Sequence, residues 1–405
     1  MSLRIALILT VLMSLLLSAC NGPTKAGLEA RKDAHDRMDK VNAQMTFDQA
    51  GRSFETGQFA EALRQITASI QRYDKLPEFY VLQGRILMEM HKLGPAHEAF
   101  LKATELDDSC HEGYYFLGVV YQRWSNDVKA YDSYRSAYDK DPENIQYLLA
   151  AAESLIALKQ YKEAEQLITE RSAYFEHNGE LRHLLAQIVA LKGDHKSAAI
   201  LYEEARLLKT EDLQLLHEKA QAEYAAGLYG EAYETLRRTQ KNDQKADPDL
   251  MHMQARCLQL MGRLNEARQM YLRVTRAKPG DSEAWRELGL LAIDIGDTRR
   301  IELAGTRLVE LTPDDGYGYF FLGLHNLERG SIQEAIRLLN EATSRGSCNV
   351  MASVVLGHLY EVIGDSKKAM EACAVVLEAE PSNLYGQHLY QRLTEAPQVT
   401  SVPLP

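Results

Sequence analysis

Three histidines recur at a regular spacing and are the side chains best suited to do chemistry. His183, His217 and His252 are 34 and 35 residues apart. An amide or guanidinium side chain follows each of them by four positions: Gln187, Gln221 and Arg256. Imidazoles titrate near neutral pH, so such a row can hydrogen-bond an extended peptide in a pH-dependent way. If each histidine lies on its own helix, neighbours roughly 10 Å apart cannot share a metal ion. The alternative is a chance recurrence in a chain that holds 12 histidines.

Enzyme motifs are absent from the sequence. It holds no GxSxG elbow, no HExxH pair, no glycine-rich phosphate loop and no Cys/His set at zinc-ligand spacing. Acidic pairs such as Glu203 and Glu204 fall on predicted solvent faces. The sequence therefore predicts a protein that is not an enzyme and uses neither a metal nor a cofactor.

The first 20 residues have the pattern of an export signal. Arg4 precedes the mostly apolar segment Ile5–Leu17, which is shorter than the roughly 20 residues of a spanning helix. Residues 17–20 read Leu-Ser-Ala-Cys and resemble a bacterial lipobox, which implies acylation of Cys20. The alternatives are an ordinary signal peptide or a short anchor helix. Asn21, in place of aspartate, favours the outer membrane, facing the periplasm.

The other four cysteines are predicted to be structural. Cys257 and Cys373 fall where helices pack, so we expect small buried hydrophobes. Cys110 and Cys348 fall in turns. A bridge between Cys348 and Cys373 is conceivable, because they flank one predicted helix pair.

A 34-residue period organises residues 43–383. Ten segments come into register, with one extra residue in the sixth; they start at 43, 77, 111, 145, 179, 213, 248, 282, 316 and 350. A small residue falls eighth in every segment and twentieth in nine of them, and seven have glycine fifteenth. Each segment reads as two helices joined by a turn. Because no single pair can cover its own apolar face, the pairs must stack on one another.

The spacing within segment three resembles the tetratricopeptide repeat: Tyr114, Leu117, Gly118, Tyr121, Ala130, Tyr134, Ala137 and Pro142. Trp285, Leu288, Gly289 and Pro313 repeat part of it. The resemblance implies an all-α protein, a right-handed α-solenoid of about ten helix pairs. We expect a tether helix over residues 21–42, a C-terminal capping helix over 384–396 and a disordered tail over 397–405.

The same resemblance implies a binding groove for proteins or peptides, lined by the first helix of each repeat. The histidine row occupies groove positions in repeats five to seven. Repeats nine and ten offer an apolar patch at the same positions, with Tyr317, Phe320 and Leu324 at its centre. The alternative is that Tyr317 and Phe320 pack against the neighbouring helix.

Repeat eight departs from the pattern. It carries Ile301 where a small residue belongs and Gly305 where a large one belongs. We expect a weak joint between repeats seven and nine.

Charge excludes one class of partner. The net charge is −11 and no basic run occurs, whereas nucleic-acid binding draws on Lys and Arg at phosphates. Together these features predict a membrane-anchored protein-interaction scaffold of the bacterial cell envelope. The resemblance to tetratricopeptide lipoproteins favours assistance in pilus or secretion-system assembly. The alternatives are an adaptor for peptidoglycan-remodelling enzymes, a scaffold for polysaccharide export, and a groove for a small ligand such as a glycan or peptide.

Overall fold

The computed structural model describes residues 24–171, 177–209, 212–239 and 247–395, and every regular element in those ranges is an α-helix. The predicted signal segment with Cys20 and the tail 397–405 lie outside the described residues. The chain divides into two compact units, on either side of the bond between Gly193 and Asp194.

The first unit contains nine described helices: α1 (Lys25–Glu55), α2 (Phe59–Arg72), α3 (Pro77–Glu89), α4 (Leu93–Leu106), α5 (His111–Arg123), α6 (Asp127–Lys140), α7 (Ile145–Ala157), α8 (Tyr161–Thr169) and α9 (Gly179–Leu191). The second unit contains twelve described helices: α10 (His195–Leu208), α11 (Leu213–Ala225), α12 (Tyr229–Thr239), α13 (Pro248–Leu260), α14 (Leu264–Ala277), α15 (Ser282–Asp294), α16 (Thr298–Leu311), α17 (Gly316–Glu328), α18 (Ile332–Ser344), α19 (Asn349–Val362), α20 (Ser366–Ala379) and α21 (Leu384–Glu395). The prediction of an all-α fold built from about ten helix pairs and a final helix is confirmed. Residues 25–42 are helical and continuous with the first helix of repeat one, in the 31-residue α1.

A left-handed residue joins the two helices of every repeat. Seven of these are the glycines at position fifteen, with φ between 67° and 89°. Repeats two, three and four place His91, Ser125 and Lys159 there instead, with φ of 58°, 55° and 59°. The turn geometry is therefore common to all repeats, although only glycine adopts it without steric cost.

The small residue at position eight lets a large side chain from position twenty-four lie against the first helix. A Cβ at Gly84 would lie 2.4 Å from the Phe100 ring, and one at Gly118 would lie 2.6 Å from the Tyr134 ring. Both rings are almost fully buried. The periodic glycine thus makes room for an aromatic ring in the core of its own repeat.

Repeat eight solves the same problem with a residue from the next repeat. Because Gly305 supplies no side chain, the ring of Phe321 in α17 covers Gly289, where a Cβ would lie 2.2 Å from it. Phe321 is fully buried, and Ile301 is 2% exposed. Gly305 also lets α16 approach α17 closely, since a Cβ there would lie 3.0 Å from the carbonyl oxygen of Gly318. The structure therefore shows dense packing where we expected a weak joint.

The last repeat is completed by α21 in a similar manner. Leu389 is 1% exposed and covers Gly357, where a Cβ would lie 2.8 Å from it. Arg392 of α21 donates from Nε and Nη2 to the two carboxylate oxygens of Glu361, at 2.8 and 2.9 Å. The helix therefore supplies the apolar contact and the ion pair that a following repeat would supply.

The thiols that could have formed a bridge are free. Cys348 and Cys373 are both buried and unlinked. The Cys373 thiol donates to the carbonyl oxygen of Gly386 at 3.0 Å. This contact ties α20 to α21, so Cys373 acts as a packing residue.

Candidate partner-binding surface

The first helices of successive repeats contact one another along one side of each unit, which we call the first-helix face. In the first unit, the Arg85 guanidinium lies 5.1 Å from the Phe54 ring and 5.5 Å from the Phe116 ring. These three residues belong to α1, α3 and α5, so cation–π contacts join three successive first helices.

The histidine row is divided between the two units. His183 and Gln187 lie in the first unit, half-buried, with their Nε2 atoms 3.2 Å apart. His217 and Gln221 lie in the second unit, with the same atoms 3.5 Å apart. In both pairs the partners are one helical turn apart, so they share a helix face. In both repeats the imidazole therefore contacts the amide of its own helix.

His252 and Arg256 differ from the other pairs, because both bind carboxylates of the next repeat. The His252 Nε2 atom lies 2.6 Å from Oε2 of Glu287. Arg256 donates from Nε to both oxygens of Glu287, at 2.8 and 3.1 Å, and from Nη2 to Glu283 at 2.6 Å. The Tyr271 hydroxyl donates to the same Glu287 oxygen at 2.9 Å. These five residues form a cluster, which we call the Glu287 cluster, that ties α13 and α14 to α15.

Electrostatics makes the Glu287 cluster a fixed structural element. Burial by itself raises the pKa of Glu287, but hydrogen bonds from His252 and Arg256 outweigh it and lower the pKa to about 2. The same cluster raises the pKa of Arg256, chiefly through its hydrogen bond to Glu287. Burial, followed by the Glu287 charge, raises the pKa of Tyr271. Glu287 is therefore ionised and satisfied throughout the neutral range.

The structure corrects the sequence interpretation at His252. Its side chain is 9% exposed and its Nε2 atom is engaged by Glu287. A buried histidine held by a carboxylate within the fold is a packing residue. In repeat seven the predicted peptide-binding row is thus replaced by an internal ion cluster.

Sequence reasoning missed Glu287 and Tyr271. Position six is apolar in most repeats, for example Leu82, Phe116 and Met253, whereas Glu287 places an acid there. An acid at a packing position, one repeat after His252, was the available signal. The hydroxyl of Tyr271 could not be assigned to it without knowing how α14 packs on α15.

The apolar patch of repeats nine and ten is smaller than predicted. Phe320 is 4% exposed and belongs to the core of the second unit. It therefore packs within the fold, which was the alternative to partner contact. Tyr317 and Leu324 are half-buried and pack on that core. The Tyr317 ring also lies 5.5 Å from the Arg286 guanidinium. Tyr317 and Leu324 thus remain partly exposed at the centre of the patch, and His358 is exposed at position nine of repeat ten.

Within the described ranges, no three side chains among histidine, cysteine, aspartate and glutamate converge as metal ligands would. No helix there combines the length and the hydropathy that a membrane span requires. The lipidation site predicted at Cys20 lies outside the described residues.

Stacked helix pairs with a contiguous first-helix face define a class of repeat proteins that act as interaction scaffolds. Residues 128–188 and 252–300 match models of the tetratricopeptide repeat, one in each unit. Each unit therefore contains tetratricopeptide repeats, which confirms the resemblance seen in the sequence. Such repeats generally form a non-enzymatic surface for protein or peptide partners.

Several solved structures are similar to the chain at low sequence identity. The structure from the functional characterisation of Pseudomonas aeruginosa pilF has 21% sequence identity to this chain, with a TM-score of 0.42. The match covers 52% of this chain and 96% of that one. A tetratricopeptide repeat protein from Parabacteroides merdae is 15% identical, over 62% and 98%, with a TM-score of 0.44. For Naa15/Naa10 bound to HypK-THB the identity is 15% and the TM-score 0.41. That match covers 87% of this chain, which spans only 65% of the other. No curated protein matches the sequence.

Proposed function

We propose that this protein is a membrane-anchored scaffold of the bacterial cell envelope, which holds protein partners on its first-helix face and assists assembly of a pilus or secretion system. The repeats support the binding role. The lipobox-like segment that ends at Cys20 supports the anchor.

The observation that carries the proposal is the continuity of α1. This helix runs from Lys25 to Glu55 without a break, and Thr24 caps it by accepting from the Gly27 amide. An acyl group at Cys20 would therefore be followed by four residues and then by a rigid rod that leads into repeat one. Two or more acyl chains hold a protein at a membrane stably, whereas one binds only marginally. An anchor of this type would keep the repeats close to the bilayer.

Cys20→Ser tests the anchor. The wild-type chain is expected in the membrane fraction, with an acyl-modified N-terminal peptide by mass spectrometry. The variant is expected to lose the modification and to leave the outer-membrane fraction. If the wild-type chain carries an unmodified Cys20, the anchored scaffold is rejected.

Tyr317→Ala combined with Leu324→Ala tests the binding face. Crosslinking and affinity capture from intact cells should lose the main partner, and components of a pilus or secretion system are expected among the lost proteins. Phe320 is left unchanged because its burial would make a substitution destabilising. Val128→Ala is the matched control, since Val128 is 56% exposed on a second helix. An unchanged partner list in the double variant would remove the face from the proposal.

A cleft in repeats nine and ten favours a second candidate function, the binding of a small glycan or peptide. It measures about 590 Å³ and is lined by neutral polar side chains that include Asn340, Thr343, Asn349 and Ser353. The Asn340 amide donates to the Tyr360 hydroxyl at 2.9 Å, which holds one wall in place. Amides and hydroxyls of this kind suit sugar hydroxyls. A thermal melt with disaccharide-peptide fragments of peptidoglycan should raise the unfolding temperature of the purified protein if this function holds, and Asn349→Ala should abolish the rise.

A further inference from the structure

A basic cleft lies on the side of the second unit that the second helices form. It measures about 450 Å³ and is lined by residues of α14 and α16, with Trp285 of α15 between them. None of its residues belongs to the first-helix face contacts described above, so it is a separate site.

Three arginines without carboxylate partners line this cleft: Arg276, Arg299 and Arg300. Among the described residues, none of the three forms an ion pair, whereas Arg268 in α14 pairs with Asp297 at 3.2 Å. The Nε atom of Arg300 is buried and has no hydrogen-bond partner among the residues that the structure describes. A buried donor without an acceptor is unfavourable, so an acceptor from a ligand would be stabilised there. The cleft therefore presents unsatisfied positive charge in a chain whose net charge is −11.

The rest of the lining limits what can bind. Trp285 is 6% exposed and its Nε1 donates to the Pro279 carbonyl oxygen at 2.9 Å, so its ring offers only apolar contact. Leu303, 39% exposed, adds to that apolar surface. The Thr306 hydroxyl donates to the Glu302 carbonyl oxygen at 2.9 Å, so it is not a free donor. The guanidinium groups are the available donors.

One acid also lines the cleft. The Glu302 carboxylate lies 3.8 Å from Nε2 of His325, whose two ring nitrogens have no hydrogen-bond partner in the described part of the chain. Three guanidinium groups against one carboxylate leave the lining positive. Glu302 lowers the attraction for an anion without cancelling it.

We propose that this cleft binds an acidic segment of a partner protein, with a glutamate or aspartate on the arginines and an adjacent apolar side chain on Trp285 and Leu303. Guanidinium groups bind carboxylates through paired, charge-assisted hydrogen bonds. A free phosphate would satisfy the arginines and leave the apolar surface uncovered, so a peptide complements the cleft better. The site does not depend on the proposed function, because its arginines lie on the second helices α14 and α16.

The experiment uses Trp285 as a local reporter. The chain holds two tryptophans, so Trp124→Phe leaves Trp285 as the only one. In this background the full chain is titrated with a hexapeptide that alternates leucine and glutamate, and separately with one that alternates leucine and glutamine. We expect a saturable change in Trp285 emission with the acidic peptide, with a Kd below about 1 mM.

Three variants then separate the contributions of the lining. Arg276→Gln combined with Arg299→Gln should weaken binding by about tenfold or more, and both residues are exposed enough to be replaced without loss of the fold. Glu302→Gln should strengthen it about two- to fivefold, because a like charge is removed. Arg329→Gln is the control, because Arg329 is exposed, lies outside the cleft and forms no ion pair among the described residues. This change should leave the affinity for the acidic peptide unaltered.

Three results would overturn the proposal. The first is equal binding of the glutamine peptide, and the second is unchanged affinity in the double arginine variant. The third is full displacement of the peptide by inorganic phosphate at roughly equal concentration, since that would make the cleft a site for free oxyanions.

Discussion

At the scale of single residues, the glycine at position eight determines which side chain fills the core of a repeat. Gly84 and Gly118 admit a ring from position twenty-four of their own repeat, whereas Gly289 admits Phe321 from the next one. The period in the sequence shows where a side chain can pack against the first helix. Which side chain packs there depends on whether position twenty-four of the same repeat carries a large residue.

Gly289→Ala should therefore destabilise the protein. The added Cβ would lie 2.2 Å from the Phe321 ring, and overpacking of this kind costs about 1–3 kcal/mol. Urea unfolding measures the loss. Gly51→Ala is the matched control, since among the described residues its added Cβ would meet nothing within 4 Å beyond the neighbouring backbone of its own helix. A helical glycine replaced by alanine gains roughly 0.5–1 kcal/mol. Phe321→Leu should partly rescue Gly289→Ala, and equal stability of Gly289→Ala and the wild type would contradict the assignment of Phe321.

Glu287→Gln should make stability less dependent on pH under acidic conditions. The pKa of Glu287 is lowered from 4.5 to about 2 in the folded protein, so its contribution is complete above about pH 4.5 and disappears as the pH falls towards 2. The variant should lose on the order of 2 kcal/mol at neutral pH, and less as the pH falls through that window.

Glu266→Gln is the control for Glu287→Gln. Glu266 pairs with Arg263 on the surface, where solvent screens the pair, so its loss should leave the free energy of unfolding almost unchanged. Urea unfolding at neutral pH and near pH 3 compares the two variants. A parallel pH dependence of Glu287→Gln and wild type would show that Glu287 is not the titrating group.

At the scale of elements, the turn inside each repeat requires a left-handed residue, and three repeats meet this requirement with a side chain. Lys159 is exposed and has φ of 59°. An L-residue in this conformation carries a steric cost on the order of 1 kcal/mol.

Lys159→Gly should consequently stabilise the first unit by up to about 1 kcal/mol. The gain is reduced by the larger conformational entropy of glycine in the unfolded chain. Gly227→Ala is the reciprocal change at the same position of repeat six, where φ is 77°, and should destabilise. The unfolding temperature of each variant measures the effect. A fall in stability for Lys159→Gly would indicate that the lysine side chain makes a compensating contact.

The final helix α21 packs on repeat ten as a further repeat would, because Leu389 covers Gly357 as Phe321 covers Gly289. Leu389→Ala should cost about 2–4 kcal/mol and lower the hydrogen-exchange protection of α19 and α20. Tyr390→Ala is the control, since Tyr390 is 50% exposed and its truncation should change stability by less than about 0.5 kcal/mol. Unchanged protection of α20 in Leu389→Ala would show that the last repeat is stable without its cap.

At the scale of the whole molecule, stability comes from neighbouring helices packing together more than from surface charge. Many ion pairs are exposed contacts within one helix, such as Arg64 with Glu61 and Arg337 with Glu334. Pairs of this kind contribute little. The buried residues form clusters that extend from one repeat to the next within each unit, as expected of a repeat protein.

The cysteines report on this packing in both units. Burial raises the pKa of Cys257 and Cys348 to about 12, and burial also raises the pKa of Cys373. In the Cys20→Ser variant near neutral pH, a maleimide should label the half-buried Cys110 first and the other three only after addition of urea, because the thiolate is the reactive form. Peptide mass spectrometry measures the rates. Rapid labelling of Cys257 in the native protein would contradict its burial.

Periodicity alone was enough to predict the helix pairs and the positions of the small residues, since a 34-residue period repeats the same local physics in every segment. The groove positions of the histidines came instead from the resemblance to the tetratricopeptide repeat, and partner binding by His183 and His217 stays a prediction. The periodicity did not predict the contacts between side chains of different repeats. His252 and Phe320 follow the surface pattern and are nevertheless buried, because Glu287 of the next repeat binds His252 and Phe320 packs into the core of the second unit. Repeat eight shows the same limit, since Gly305 looks like a defect until Phe321 from the next repeat fills the space. Side chains from two repeats can occupy the same space in the core. Only the packing of the helices in the tertiary structure decides which of them does.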